Sequence, residues 1–176
     1  MTKGKISRLI SIGIIVMANM GCSMQSKQYN GPIVSGGLGL SLAEWDQLYG
    51  RHTWKDDVQA AYENEKWRFM VTYYGDNVKS FKARPSDEEP FSIEVARAES
   101  KKFMPSDSKF VETYIGTGGK TVELYSSDSL RGRFSPEPEA WPGADPGNFT
   151  VGYVKEYVRD NNLIDYYYID IGNRGR

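Results

Sequence analysis

The sequence is poor in the two residue types that most often carry metal and redox chemistry, since its 176 residues include one cysteine and one histidine. A single cysteine cannot form an intramolecular disulfide, and one histidine cannot complete a zinc ligand set. No apolar run reaches the roughly 20 residues of a membrane-spanning helix. The net charge is −1, so there is no basic excess for nucleic acid. We therefore expect no cofactor, no metal site and no nucleic-acid partner.

The one cysteine stands directly after a short apolar segment near the N-terminus. Three basic residues precede the apolar run 9–18, and Gly21 and Cys22 follow it. A basic start, a short apolar run and small residues at the cut are typical of a secretory signal peptide. This arrangement resembles the leader of bacterial lipoproteins, which signal peptidase II removes before acyl chains such as palmitate are attached to the cysteine. The resemblance implies a signal peptide at 1–21, lipidation of Cys22 and a place on the extracytoplasmic side of a membrane in the bacterial cell envelope.

The segment after the cysteine predicts a tether. Residues 23–37 are mostly polar and contain glycine, as flexible linkers do. We therefore divide the chain into a signal peptide (1–21), a lipidated cysteine with its tether (22–37) and a single globular domain (38–176). Two alternatives stay open, namely an ordinary secretory signal that releases a soluble protein and an uncleaved N-terminal anchor.

Hydrophobic spacing predicts two short helices. The first, SLAEWDQLYG at 41–50, has Ser41 and Glu44 in the positions of a capping box and ends at Gly50. The second is FSIEVARAESKKFMP at 91–105. Spacings of three and four residues predict the apolar face of the first helix, which consists of Leu42, Trp45, Leu48 and Tyr49.

Alternating apolar and polar residues predict seven strands, at 58–63, 66–75, 77–84, 109–116, 120–126, 149–158 and 163–172. The GTGGKT segment at 116–121 has the composition of a phosphate-binding loop but not its spacing, and it predicts a hairpin turn. The order of helix, strands, helix, strands predicts an α+β fold. We expect an antiparallel sheet of about six to seven strands with two short helices, following a signal peptide.

The sequence offers few residues with catalytic potential. His52 has two acidic residues close by in the sequence, Asp56 and Asp57, but the chain contains no serine-elbow motif. A lone histidine after a helix end is usually a surface or capping residue. We therefore assign no catalytic residue.

Aromatic residues near the C-terminus are the best candidates for ligand binding. Tyr166 and Tyr168 alternate along one predicted strand, Tyr153 lies on the strand before it, and Trp141 lies in a proline-rich loop. Aromatic rings on a strand bind carbohydrate or peptide well because they lose little entropy on binding. The same pattern also fits a cross-strand aromatic core.

The stretch around the first helix adds a second resemblance. Gly39-Leu40-Ser41 opens this helix and Leu48-Tyr49-Gly50 closes it. It resembles small helix-then-sheet envelope lipoproteins that serve in outer-membrane assembly, the related inhibitor-type modules and other extracytoplasmic bacterial domains. The resemblance implies a binding or scaffolding role rather than catalysis.

Three functions therefore remain open. The first hypothesis is a lipoprotein without enzymatic activity that binds a protein or cell-wall partner. The second is a small carbohydrate-processing hydrolase of the same compartment, which requires a cleft with converging titratable groups. The third is a carrier of a small apolar ligand, which requires a closed apolar pocket.

Overall fold

The computed structural model describes residues 35–134, 138–155 and 162–173. The predicted signal peptide, Cys22 and most of the predicted tether lie outside these residues. The three helices are α1 (Leu42–Tyr49), α2 (Ile93–Ser100) and α3 (Asp128–Arg131), and a 3-10 turn, Lys101–Phe103, continues α2. The ten strands are β1 (Trp54–Lys55), β2 (Gln59–Glu63), β3 (Trp67–Tyr74), β4 (Asn77–Pro85), β5 (Phe91–Ser92), β6 (Lys109–Ile115), β7 (Thr121–Ser126), β8 (Asn148–Val154), β9 (Leu163–Ile164) and β10 (Tyr166–Ile171).

Eight of these strands form one antiparallel sheet in the order β1-β2-β3-β4-β10-β8-β7-β6, and β5 pairs with β9 in a separate two-stranded ladder. The last strand thus lies between the two strand groups and joins them. The structure confirms the α+β class. The sheet has eight strands rather than the six to seven predicted, because β1 has two residues, too few for a visible alternation. The short strands of the second ladder were also missed: β5 lies in the segment predicted as the second helix, and β9 was joined to β10 in the predicted strand 163–172. The four-residue helix α3 adds a third helix to the two predicted.

Within the described residues, helices cover one face of the sheet and not the other; we call these the helical face and the outer face. Cross-strand pairs such as Phe69–Ala83 and Tyr167–Ala83 place the bulky residues of the middle strands on the helical face. α2 packs there over β8 and β10. Most of the hydrophobic core lies between this face and the helices, as expected for an antiparallel sheet with one buried face.

Helix α1 forms where its sequence predicts it. The Ser41 hydroxyl accepts the backbone N–H of Glu44 at 3.3 Å, and the Glu44 carboxylate accepts the backbone N–H of Ser41 at 2.7 Å. These bonds satisfy two donors that a helix start leaves without partners. Gly50 ends the helix with a φ of 83°, a conformation that favours glycine. The capping box therefore sets the position at which Trp45 enters the core.

Candidate functional site

The structure does not bring the four predicted binding aromatics onto one surface. Trp141 is 2% exposed and packs edge-on against Phe134, with ring centroids 5.8 Å apart. Tyr153 is also buried and points to the helical face, whereas Tyr166 and Tyr168 lie half-buried on the outer face. Of the four, Tyr166 and Tyr168 are therefore the ones that a ligand on the outer face could contact.

Tyr166 lies beside two cations on the outer face. The Lys82 ammonium is 3.6 Å from the centroid of its ring, and the Arg84 guanidinium carbon is 5.6 Å away. Such cation–π contacts favour an ordered ring. Lys82 and Arg84 also line a groove of about 300 Å³ that opens to solvent, together with Thr53, Ala61, Tyr62, Glu63, Arg68, Phe69 and Met70. The groove is thus a shallow surface depression beside Tyr166.

Tyr168 covers a glycine of the neighbouring strand. It pairs directly with Gly152 in the β10–β8 register, and a Cβ atom built on Gly152 would lie 2.2 Å from the Tyr168 ring. An aromatic ring across a strand compensates for the missing side chain of a glycine. Tyr168 therefore has a packing role on the outer face.

Replacing Gly152 with alanine should destabilise the domain by about 1–3 kcal/mol, because the new methyl group forces the Tyr168 ring out of its place. Urea unfolding of the variant measures the loss. The double variant Gly152→Ala/Tyr168→Ala should lose less than the sum of the two single losses, since the clash is gone. If the double variant loses as much stability as the two single variants together, the Tyr168 ring does not pack on Gly152 as described.

His52 pairs with a carboxylate from α1. Its Nδ1 lies 3.3 Å from Oδ1 of Asp46, and the same oxygen accepts the hydroxyl of Tyr62 at 2.9 Å. The acidic neighbour in space is thus Asp46, not Asp56 or Asp57. Among the described residues, Asp46 is the hydrogen-bond partner of His52. Asp46 therefore joins α1 to β2 through Tyr62 and also holds His52, which follows the helix.

Two serines and an aspartate form a second polar cluster at the start of α3. Oδ1 of Asp107 accepts the hydroxyls of Ser127 and Ser129 at 2.6 and 2.7 Å, and Oδ2 accepts the backbone N–H of Ser129 at 2.8 Å. Burial alone would raise the pKa of Asp107, but these hydrogen bonds outweigh it and lower the pKa. The cluster therefore holds a charged carboxylate against the helix start.

This lowered pKa predicts an acid-sensitive contribution to stability. The unfolded chain binds a proton on Asp107 at higher pH than the folded chain does, so the contribution is present above the unfolded pKa and is lost as the pH falls through the folded pKa. NMR titration should therefore give Asp107 a midpoint below 3.8. The variant Asp107→Asn should lose less stability between pH 6 and pH 3 than the unmodified chain. A titration midpoint of Asp107 at or above 3.8 would contradict the hydrogen bonds from Ser127 and Ser129.

A third polar cluster joins α2 to the sheet. The Arg97 Nε–H donates to Oε1 of Glu123 at 2.8 Å, while the hydroxyls of Tyr125 and Tyr153 donate to Oε2 at 3.0 and 2.9 Å. Burial raises the pKa of both tyrosines well above 10, so they remain hydrogen-bond donors at neutral pH. All three donors thus hold one buried carboxylate in place.

This cluster lies beside an exposed edge of the sheet. β6 is the last strand in the sheet order, and Phe110, Val111 and Ile115 on it are exposed. The register places Thr113 opposite Glu123 and Phe110 opposite Tyr125. Ile115 is opposite Thr121 on the same face. We call this surface the β6 margin; it consists of Phe110, Thr113 and Ile115 together with Glu123, Tyr125 and Arg97.

The sequence analysis missed the β6 margin. One signal was present, because alternation in β7 places Glu123 on the same face as Thr121 and Tyr125, between Val122 and Leu124. A carboxylate on a strand whose neighbours are buried needs a cation or donors from elsewhere. Arg97 is 26 residues away in the sequence and could not be identified as that cation.

The described part of the chain contains no helix that is both long and apolar enough to cross a membrane. In the same residues, no group of three or more His, Cys, Asp or Glu side chains is placed to hold a metal ion.

Comparison with known proteins shows a distant structural likeness. No family model matches the chain, and no curated protein matches it. A cysteine-rich secretory protein from Staphylococcus aureus has a similar structure over 76% of this chain, with a TM-score of 0.39 and 10% sequence identity. The alignment covers 43% of the staphylococcal chain, less than half of its length.

Proposed function

We propose that this chain is a membrane-anchored lipoprotein of the bacterial cell envelope that acts without catalysis, by binding an extended segment of a protein partner along β6. The observation that carries the proposal is the exposed edge strand, where three large apolar side chains lie within six residues. An edge strand offers backbone donors and acceptors to an added strand. Neighbouring apolar side chains then supply the contacts of the partner.

The length of β6 and its bulge determine where an added strand can pair. The strand is seven residues long, which is enough for an added strand to form several backbone hydrogen bonds. Val111 is an extra residue between the pairs of Phe110 and Glu112, and such a bulge interrupts regular pairing. The added strand would therefore pair chiefly with the stretch from Glu112 to Ile115.

The lipid anchor is the second part of the proposal. Acyl chains on Cys22 would hold the domain at the membrane, because each buried CH₂ group contributes about 0.8 kcal/mol. Labelling cells with a fatty-acid analogue should mark the protein, and Cys22→Ser should abolish the label. A purified chain that retains Met1 and stays in the cytosol would contradict the envelope assignment.

Capture of partners from cells tests the binding role. The full-length protein is cross-linked in cells, purified and analysed by mass spectrometry, beside the variant Ile115→Ser. Leu48→Ser is the matched control, because Leu48 is a similarly exposed apolar residue (58% against 70% for Ile115) on α1, away from β6. We expect one set of proteins to be lost with Ile115→Ser and kept with Leu48→Ser. Capture of a glycan or a small molecule without any protein would favour the hydrolase or the carrier instead.

A further inference from the structure

The guanidinium of Arg97 is held in one place although it reaches solvent. Its side chain is 40% exposed, whereas that of Glu123 is 8% exposed. Because two tyrosine hydroxyls fix the second carboxylate oxygen, Glu123 cannot follow the arginine outward. The Arg97 guanidinium also lies 5.7 Å from the ring centroid of Tyr153. The buried carboxylate of Glu123 thus holds the Arg97 guanidinium in place at the surface.

Part of this guanidinium remains available to a ligand. Nε is the nitrogen of Arg97 that hydrogen-bonds within the described part of the chain. The two terminal nitrogens can each donate, and their planar arrangement matches the two oxygens of a carboxylate. An arginine that is already ordered loses less conformational entropy when it binds such a group.

Apolar side chains lie on the same face as this cation. The extra residue Val111 resets the alternation of β6, so that Phe110 shares the face of Thr113 and Ile115. Phe110 packs edge-on against Tyr125, with ring centroids 5.7 Å apart. The Arg97 guanidinium, which is bound to Glu123 of β7, therefore lies on the same face as the exposed side chains Phe110 and Ile115 of the neighbouring strand β6.

We propose that Arg97 determines the specificity of the β6 margin by binding an acidic side chain of the partner segment, while apolar side chains beside that residue pack on Phe110 and Ile115. This inference rests on the proposed function, since it names the partner chemistry of the same surface. A peptide fits better than an anionic glycan. Its backbone can pair with the β6 edge, and its alternate side chains fall on one face.

The negative charge of Glu94 lies near Arg97 and disfavours an acidic partner, so a variant of Glu94 provides a second test of the site. Partial burial alone would lower the pKa of Arg97, but Glu123 and, to a smaller extent, Glu94 raise it. Glu94 is an exposed residue in the first turn of α2. Its negative charge repels an incoming carboxylate, so its removal should strengthen binding without altering the packing around Arg97.

The test uses two blocked peptides and the full-length protein. The first peptide is acetyl-Lys-Val-Thr-Glu-Thr-Val-Lys-amide, which presents Val, Glu and Val on one face of a strand, and the second carries Gln in place of Glu. Binding is followed by NMR chemical shifts of the protein. We expect the Glu peptide to bind about tenfold more tightly than the Gln peptide, as a charge-assisted hydrogen bond would give. Glu94→Gln should increase this ratio, and Arg97→Gln should reduce it to about one.

The variants separate a failure of this inference from a failure of the proposed function. Ile115→Ser should weaken both peptides equally and leave the ratio unchanged. Equal binding of the two peptides, or a ratio that survives Arg97→Gln, would overturn the role of Arg97 and leave strand addition intact. Absence of binding by both peptides would overturn strand addition and this inference with it. Binding of a polygalacturonate oligomer that depends on Arg97, in place of the peptides, would overturn the peptide assignment.

Discussion

Replacing Trp45 with alanine should lower the free energy of unfolding by about 4 kcal/mol. Trp45 is 0% exposed and is the buried residue of α1. Its Nε1–H also donates to the carbonyl of Gly37 at 2.8 Å. Five aromatic rings surround it with centroids 4.6 to 6.4 Å away, namely Tyr49, Tyr62, Phe69, Phe81 and Phe103. Alanine would leave a cavity among them and remove the main attachment of α1 to the sheet.

Urea unfolding followed by circular dichroism measures this loss. With a slope of about 2 kcal/mol per molar urea, the midpoint should fall by roughly 2 M. Trp54→Ala is the matched control, because it makes the same chemical change at a side chain that is 48% exposed on β1. This control should stay within about 0.5 kcal/mol of the unmodified protein. Similar losses in the two variants would contradict the position of the core.

The first helix was predictable because its signals are local. Ser41, Glu44 and Gly50 act within a few residues of one another, and the structure has the helix at Leu42–Tyr49. The apolar face was predicted less well, since Leu48 belongs to it by spacing and yet is 58% exposed. The width of a buried face depends on how the helix lies on the sheet, and long-range contacts determine that.

In the edge strand β6, the alternation of residues along the sequence does not predict which side chains share a face. In the sequence, Phe110 and Thr113 differ by an odd number of residues, so simple alternation assigns them to opposite faces. The bulge at Val111 places them on the same face. A bulge is a property of the pairing between two strands, and the pattern of one strand does not reveal it.

The burial of Trp141 could not be predicted from its surrounding sequence. Its loop contains several prolines and no periodic pattern, so the sequence did not indicate which way the indole points. The structure folds this loop back onto the end of the core, where Trp141 meets Phe134. Tyr153 was also assigned to a ligand face, although its hydroxyl is used within the protein by Glu123. Both aromatic side chains are buried and pack within the fold.

Replacing Glu123 with alanine should lower the free energy of unfolding by about 3 kcal/mol. Tyr125 and Tyr153 are buried and would lose Glu123 as the acceptor of their hydroxyls. A buried hydroxyl without a partner costs about 1–3 kcal/mol, and Tyr153 would retain a long contact of 3.5 Å with the Ser100 hydroxyl. Arg97 contributes less to this loss, since it is 40% exposed and solvent screens its charge. Thermal or urea unfolding at pH 7 gives the value.

The conservative variant Glu123→Gln keeps the hydrogen bonds to the tyrosines and removes the charge. Its amide oxygen can still accept both tyrosine hydroxyls, while its amide nitrogen, a donor, then faces the Arg97 Nε–H and the bond to Arg97 is lost. Because Arg97 is 40% exposed and can hydrogen-bond to water instead, this variant should lose only about 1 kcal/mol. Tyr125→Phe in the alanine background should recover part of the loss, because among the described residues Glu123 is the acceptor of this buried hydroxyl. If alanine and glutamine destabilise the domain equally, the negative charge of Glu123 and not its hydrogen bonds stabilises this cluster. The fixed position of Arg97 would then depend on electrostatic attraction, and its exposed nitrogens would be less well ordered for a carboxylate of the partner.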